Sequence, residues 1–144
     1  ERGRSIRGKV DIADMIRDVR AAVESLKADG LSVGVVGYCL GGTLAWLACT
    51  RIDGVKAAVG YYGGGIAETA AETPRCPVLL HFGETDHAIP IGDVRTWLAA
   101  RPELAAHIYA AGHGFNCDQR GSYNGAAAKQ ARSRTLEFFR KHVG

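Results

Sequence analysis

Helix-like and strand-like apolar patterns alternate along the chain, and this alternation constrains the fold more than any other feature of the sequence. Apolar residues recur every three or four positions from Asp11 to Asp29, which predicts an amphipathic helix that ends at Gly30. The short, valine-rich segment 31–38 predicts a buried strand. In the same way we predict helices at 40–51, 91–100 and 126–142, strands at 55–62, 77–82 and 105–110, and a loop of small residues at 63–73.

This order of elements predicts an α/β fold, in which parallel strands form a doubly wound sheet with helices on both faces. Loops that leave the carboxyl ends of such strands meet at one edge of the sheet, where catalytic groups collect. Residues 1–10 are expected to form a solvated basic tail before a domain at 11–144. About four strands make a small sheet for this architecture, so we expect this domain to be a C-terminal portion that lacks its N-terminal part.

Composition and charge exclude several classes of protein. The chain has 144 residues, of which 47% are hydrophobic and 23% charged, and its formal charge is +3, as in ordinary soluble domains. No basic stripe indicates nucleic-acid binding, and no apolar run reaches the roughly 18 residues of a membrane span or resembles a signal peptide. We therefore predict a cytoplasmic protein with neither nucleic-acid nor membrane partners. The four cysteines show no zinc-site or disulfide-framework spacing, which predicts free thiols.

The segment GYCLGG at 37–42 lies where a predicted strand turns into a helix. It has the Gly-x-nucleophile-x-Gly spacing of a nucleophile elbow, with cysteine in place of the commoner serine. Glycines two positions before and after Cys39 are expected to let the backbone cross closely, and the start of the next helix favours a thiolate and an oxyanion. The N–H of Leu40 is the expected oxyanion donor. The motif alone leaves open that Cys39 is a small buried apolar residue in a turn.

Two further polar residues follow later strands at the same predicted edge of the sheet. Asp86 lies in the loop after strand 77–82, and His113 lies in the loop after strand 105–110. The order nucleophile, acid, histidine is that of the α/β hydrolases. We therefore predict a triad in which His113 activates Cys39 and Asp86 orients the imidazole. Glu84 and His87 are weaker candidates, because Glu84 fits a solvated turn and His87 the mouth of a pocket.

Other residues of reactive types fit structural roles. His81 and His107 fall within predicted strands, where most histidines are structural. Cys49 lies on the helix after the elbow and fits the core. Cys76 is at the amino end of its strand, away from the edge where chemistry is expected.

Taken together, three segments resemble the dienelactone hydrolase (carboxymethylenebutenolidase) family: GYCLGG at 37–42, HFGETDHAIP at 81–90 and YAAGHGFNC at 109–117. The resemblance extends over nearly the whole chain and implies an α/β-hydrolase fold. It also implies a catalytic triad of Cys39, Asp86 and His113. The implied reaction is hydrolysis of an enol-lactone through an acyl-enzyme, without a metal or cofactor.

The sequence also departs from what the resemblance implies. Family members have a glutamate, an arginine and a second oxyanion donor in an N-terminal part that would precede this chain. A carboxylate-binding arginine usually sits four residues after the triad histidine, where this chain has Cys117, and Arg120 is the nearest candidate to replace it. Tyr38, Phe115 and Tyr123 are candidates to line the substrate pocket, although aromatic core packing explains each about as well.

These observations lead to one preferred function and several alternatives. We expect a hydrolase of a small-molecule enol-lactone or activated carboxylic ester. A broader carboxylesterase or lactonase with the same triad is the nearest alternative. A catalytically inactive fragment is another, and it would need a partner chain, joined as a homo-oligomer or through an exposed sheet edge. A redox role for Cys39 is disfavoured, since no resolving cysteine lies near it in sequence.

Overall fold

The computed structural model describes residues 5–6 and 8–144, so the expected basic tail at 1–10 falls partly outside the described residues. The helices are α1 (Ile12–Ala28), α2 (Leu40–Arg51), α3 (Ile91–Ala100) and α4 (Gly125–His142), and the strands are β1 (Val33–Tyr38), β2 (Val55–Tyr61), β3 (Val78–Gly83) and β4 (Ala105–Tyr109). The loop expected after β2 contains a short 3₁₀ helix, Gly64–Thr69. The predicted order of elements is therefore confirmed, with differences of one or two residues at their ends.

Local sequence signals explain where the longest helices begin and end. The side chain of Asp11 accepts a hydrogen bond from the N–H of Ala13 and caps α1, which ends before Gly30 in a left-handed conformation at φ 77°. The side chain of Asn124 caps α4 in the same way by accepting from the N–H of Ala127. No helix in the described part of the chain is both long and apolar enough to cross a bilayer.

The four strands form one parallel sheet in the order β1-β2-β3-β4. The three connections between them advance in one direction, so right-handed crossovers bring α2, the 3₁₀ helix and α3 to the same face. Trp97 of α3 packs edge-to-face on Trp46 of α2, with ring centroids 5.7 Å apart, on this face. Helix α4 covers the other face, where Thr135 contacts Tyr61 and His81. The predicted parallel sheet with helices on both faces is confirmed.

The prediction that β1 is a buried strand is wrong in part. In the described chain β1 pairs only with β2 and forms one edge of the sheet. Val36 and Tyr38 are each 45% exposed, and Leu31 lies before the strand and is 55% exposed. Its valine-rich composition is typical of a central strand, but burial also requires a second neighbour, which β1 does not have here.

The face of the sheet under α4 holds a buried polar network. The hydroxyl of Thr135 lies 2.7 Å from the Tyr61 hydroxyl and 3.1 Å from His81 Nε2. His81 Nδ1 lies 2.9 Å from the hydroxyl of Tyr109. Because each buried polar atom has a partner, the network is accommodated inside an otherwise apolar core.

Candidate active site

A sharp turn between β1 and α2 holds Cys39 at the carboxyl end of the sheet. Cys39 is not glycine, yet its φ is 55° and its ψ is −118°, an uncommon conformation for a residue with a side chain. A Cβ atom at Gly37 would lie 1.8 Å from the carbonyl oxygen of Gly41, and one at Gly42 would lie 2.4 Å from that of Tyr61. The turn therefore requires glycine at 37 and 42, while position 41, which we expected to need glycine for the same reason, has open space for a Cβ.

Main-chain hydrogen bonds hold the turn in place. The N–H of Cys39 donates to the carbonyl of Tyr61 at 3.0 Å, which continues the β1–β2 pairing by one step. The carbonyl of Cys39 accepts from the N–H groups of Gly42 and Thr43, so α2 begins at this residue. The N–H of Leu40 lies in the first turn of α2, where amides have no partner within the helix and the helix dipole is positive.

Asp86 and His113 come together with Cys39 at this edge. His113 Nδ1 lies 2.8 Å from Asp86 Oδ2, and His113 Nε2 lies 3.2 Å from the sulfur of Cys39. The Asp86 side chain is 1% exposed, and its Oδ1 accepts a hydrogen bond from the N–H of Ala88 at 2.8 Å. A buried carboxylate at Nδ1 favours the tautomer with its proton on that nitrogen, which leaves Nε2 free to accept a proton from sulfur.

Adjacent loops hold the acid and the base in register. The N–H of Glu84 donates to the carbonyl of Tyr109 at 2.8 Å, and that of Thr85 donates to Ala111 at 3.1 Å. These bonds tie the loop after β3 to the loop after β4. The Ser122 hydroxyl donates to the carbonyl of His113 at 2.7 Å. Main-chain bonds therefore hold the loop of Asp86 beside the loop of His113.

Tyr62 belongs to this site, and sequence reasoning missed it. It follows β2 with a φ of 39°, it is buried, and its ring centroid lies 5.2 Å from that of His113 and 5.3 Å from that of Phe115. Burial raises the pKa of the Tyr62 hydroxyl, so the side chain stays neutral. The available signal was position: Tyr62 directly follows the strand beside β1 and directly precedes three glycines.

The four residues proposed to bind substrate lie in different surroundings. Phe115 is fully buried and packs on Tyr62 and Tyr109, so in this structure it belongs to the core, the alternative that the sequence left open. Tyr38 is exposed beside Tyr61, with ring centroids 4.6 Å apart. Arg120 and Tyr123 are exposed in the loop before α4, and the side chain of Arg120 lies against Gly114, next to the histidine of the site.

The alternative candidates for the acid and the base of the site lie in other surroundings. Glu84 forms an ion pair with Arg95 at 2.7 Å, on the surface. His87 is exposed in the loop after Asp86. His81 is fully buried, and desolvation lowers its pKa to about 3, so it stays neutral in the core as expected for a structural histidine.

An open groove of about 460 Å³ lies beside these residues, and both Cys39 and His113 contribute to its lining. Other residues of its lining come from α2, from the 3₁₀ helix and from the loop that holds Asp86, and they include Leu40, Thr43, Leu47, Gly64, Gly65 and Ala88. The hydroxyl of Thr43 accepts from the N–H of Gly65 and joins the two walls. Within residues 5–6 and 8–144, no cluster of three or more His, Cys, Asp or Glu side chains is arranged to hold a metal ion.

The fold and the site together define a class of protein. A parallel sheet with a nucleophile elbow, an acid and a histidine in that chain order at one edge is the architecture of the α/β hydrolases. The sequence also matches the dienelactone hydrolase family over residues 3–143. The chain belongs to the dienelactone hydrolase family.

Individual relatives agree with this assignment. The chain is 36% identical over 137 residues to a carboxymethylenebutenolidase from Pseudomonas putida, covering 89% of this chain and 58% of that protein. A solved structure from Klebsiella pneumoniae, provisionally assigned as a dienelactone hydrolase, superposes with a TM-score of 0.80 at 28% identity, covering 94% of this chain and 64% of that one. An esterase from Pyrococcus furiosus, at 15% identity and a TM-score of 0.71 over 90% of this chain and 62% of its own, bears on the fold alone. The chain thus spans somewhat more than half the length of such relatives.

Proposed function

We propose that this protein hydrolyses an enol-lactone or an activated carboxylic ester, with Cys39 as nucleophile, His113 as base and Asp86 as the acid that orients the imidazole. The proposal depends on one observation above the others. The carboxylate, the imidazole and the sulfur form a continuous hydrogen-bonded line, with distances of 2.8 and 3.2 Å, beside an open groove. Such a line is the arrangement that activates a nucleophile for acyl transfer.

In the proposed first step the proton of Cys39 moves to His113 Nε2, and the thiolate attacks the substrate carbonyl carbon. Negative charge develops on the carbonyl oxygen, and the N–H of Leu40 at the start of α2 donates to it. The buried carboxylate of Asp86 stabilises the imidazolium that forms. The carbon–oxygen bond to the enolate then breaks, the enolate oxygen takes the proton from His113, and a thioester remains on Cys39 beside a neutral imidazole.

In the second step His113 accepts a proton from water, and the resulting hydroxide attacks the thioester. Collapse of this intermediate expels the Cys39 thiolate and releases the open-chain acid. A thiolate leaves a tetrahedral intermediate more readily than an amine does, so the site favours activated esters over amides. The name of the Pseudomonas putida relative, a carboxymethylenebutenolidase, supports an enol-lactone as the substrate class.

We also propose that Arg120 binds a carboxylate on the substrate and that Tyr38 and Tyr123 contact the remainder of it. All three side chains are exposed, and that of Arg120 lies beside Gly114, one residue after the triad histidine. A guanidinium at this position would pair with an anionic group by two parallel hydrogen bonds. Replacing Arg120 by Met is then expected to raise KM for an anionic lactone and leave KM for a neutral aryl ester unchanged.

The open edge at β1 supports association with further polypeptide. The unpaired edge of β1 is what a neighbouring strand would cover, and the exposed side chain of Val36 would pack beside such a strand. We propose that this strand comes from another part of a longer protein or from a second copy of the chain. Mass measurement in solution distinguishes a monomer from an oligomer.

The four free thiols support a reducing compartment, and we propose the cytoplasm.

The central experiment compares the chain with its Cys39→Ser and Cys117→Ser variants on a dienelactone and on simple aryl esters. We expect Cys39→Ser to lower kcat/KM by at least a hundredfold and Cys117→Ser to leave it near the wild-type value, because Cys39 is the cysteine whose sulfur lies 3.2 Å from His113 Nε2. Preference for aryl esters would favour a broader carboxylesterase. Wild-type turnover by Cys39→Ser would refute the nucleophilic sulfur, and no turnover by the folded wild-type chain would favour an inactive fragment.

A further inference from the structure

Two cysteines far from the proposed active site lie in contact with each other. Cys49 is near the C-terminal end of α2, and Cys76 directly precedes Pro77 and strand β3. Their sulfur atoms are 3.3 Å apart, and the thiol of Cys76 is oriented to donate to the sulfur of Cys49. A disulfide bond is about 2.05 Å long, so a shift of little more than 1 Å would bring the two sulfurs to bonding distance.

The backbone around the pair keeps the two residues together. The N–H of Arg75 donates to the carbonyl of Cys49 at 3.0 Å, and the thiol of Cys49 donates to the carbonyl of Cys76 at 3.2 Å. Nearby, Arg51 pairs with Glu72 at 2.5 Å, which joins the end of α2 to the same connection. These contacts therefore hold the backbones of Cys49 and Cys76 side by side.

The two thiols differ in access to solvent. Cys49 is fully buried, whereas Cys76 is partly exposed, so a dissolved reagent meets Cys76 first. The hydrogen bond from Cys76 lowers the pKa of Cys49 to about 7, and the same bond raises the pKa of Cys76. Of the two thiols, Cys49 is therefore the one that loses its proton more readily.

We propose that Cys49 and Cys76 are a reversible redox pair that a low-molecular-weight disulfide, such as glutathione disulfide, converts to an intramolecular disulfide. Cys76, the thiol that a dissolved oxidant reaches first, loses its proton to solvent as its sulfur attacks one sulfur of the oxidant, which forms a mixed disulfide and releases one thiolate. The sulfur of Cys49, having lost its proton, then attacks Cys76 Sγ and expels the second thiolate. The two cysteines lose two electrons and two protons, and the oxidant is reduced to two thiols.

The bond would close a loop of 28 residues, from Cys49 to Cys76, that contains β2, Tyr62 and the 3₁₀ helix. Gly64, Gly65 and Thr69 of this loop line the groove beside Cys39. The disulfide would thus fasten one wall of the groove to the helix that begins at the nucleophile. Restricting a loop of this length in the unfolded chain is expected to raise Tm by about 10 °C.

The test uses the full chain with the substitutions Cys39→Ser and Cys117→Ser, which leave Cys49 and Cys76 as its two thiols. After treatment with glutathione disulfide and removal of the excess, we expect the intact mass to fall by about 2 Da and Tm to rise by about 10 °C. Dithiothreitol should reverse both changes. A matched protein with Cys39→Ser and Cys76→Ala, which keeps Cys49 and Cys117, should show neither change.

A peptide map of the oxidised wild-type chain gives an independent measurement. Trypsin should release residues 28–51 joined to residues 76–95, and fragmentation should locate the link at Cys49 rather than at Cys39, which lies in the same peptide. Persistence of both free thiols, a stable glutathione adduct on Cys76, or a link from Cys76 to Cys39 would each overturn the proposal. None of these readouts depends on hydrolysis, so failure of the proposed function and failure of the redox pair are distinguishable.

Discussion

Replacing Thr135 by Val should destabilise the protein although it barely changes the shape of the side chain. The Thr135 hydroxyl bonds to the hydroxyl of Tyr61 at 2.7 Å and to Nε2 of His81 at 3.1 Å, and all three residues are buried. A hydroxyl serves both partners because it donates one hydrogen bond and accepts another, whereas valine does neither. Both residues are β-branched, so helix propensity contributes little to the difference.

The magnitude follows from the groups that are left without a partner. A buried polar group that loses its hydrogen bond costs about 1–3 kcal/mol, and here two such groups, on Tyr61 and His81, are affected. We therefore expect the free energy of unfolding of Thr135→Val to fall by about 2–4 kcal/mol, a large part of the roughly 5–15 kcal/mol typical of a domain. Urea unfolding followed by circular dichroism at pH 7 measures this difference.

Two further variants test the reasoning. Thr96→Val on α3 removes an exposed hydroxyl that donates to the carbonyl of Gly92, and it should change stability by no more than about 0.5 kcal/mol. Adding Tyr61→Phe to Thr135→Val removes the unpaired hydroxyl, so the double variant should be more stable than the sum of the two single changes predicts. Equal stability of Thr135→Val and Thr96→Val would refute this account of the buried network.

Three more predictions concern acid stability, the acid of the site and the elbow. The pKa of His81 is about 3 in the folded state and about 6.5 in the unfolded chain, so the unfolded chain binds more protons below pH 6.5. The free energy of unfolding should therefore fall by about 2 kcal/mol from pH 7 to pH 5. Urea titrations that give equal stability at both pH values would contradict this. Asp86→Asn should lower kcat/KM for an activated lactone by roughly a thousandfold, whereas Glu84→Gln should change it by less than a few-fold. Gly37→Ala should unfold the chain or lower its stability by more than about 3 kcal/mol, since the new Cβ would overlap a main-chain oxygen. Gly41→Ala has open space for its Cβ, so its stability, measured by thermal unfolding, should stay within about 1 kcal/mol of wild type.

The order of elements and the meeting of three loops could be predicted from sequence because both depend on local patterns. Apolar periodicity identifies each helix and strand, and parallel pairing then directs all carboxyl ends to one edge. The glycines around Cys39 identified the elbow for the same reason. The expectation that position 41 must be glycine was wrong, because the close contact is between the carbonyl oxygen of Gly41 and the α-carbon side of Gly37. Sequence spacing does not show which of the two glycines must lack a side chain.

Features that depend on non-local contacts could not be predicted. The exposure of Val36 follows from the number of strands beside β1, which the residues of β1 do not encode. The contact between Cys49 and Cys76 joins positions 27 residues apart, and no short motif marks it. An aromatic side chain such as that of Phe115 suits a substrate pocket as well as a core, and its packing on Tyr62 in the structure assigns it to the core.

The position of the Cys39 sulfur is set by main-chain atoms: the crossing of Gly37 and Gly41 and the bond from the Cys39 amide to the carbonyl of Tyr61. The side chains that shape the groove come from other parts of the chain, chiefly α2 and the 3₁₀ helix. Substitutions in those walls are therefore expected to leave the Cys39 sulfur in place. For the proposed acyl transfer, we expect directed evolution aimed at Thr43 and Leu47 to change selectivity before it changes rate.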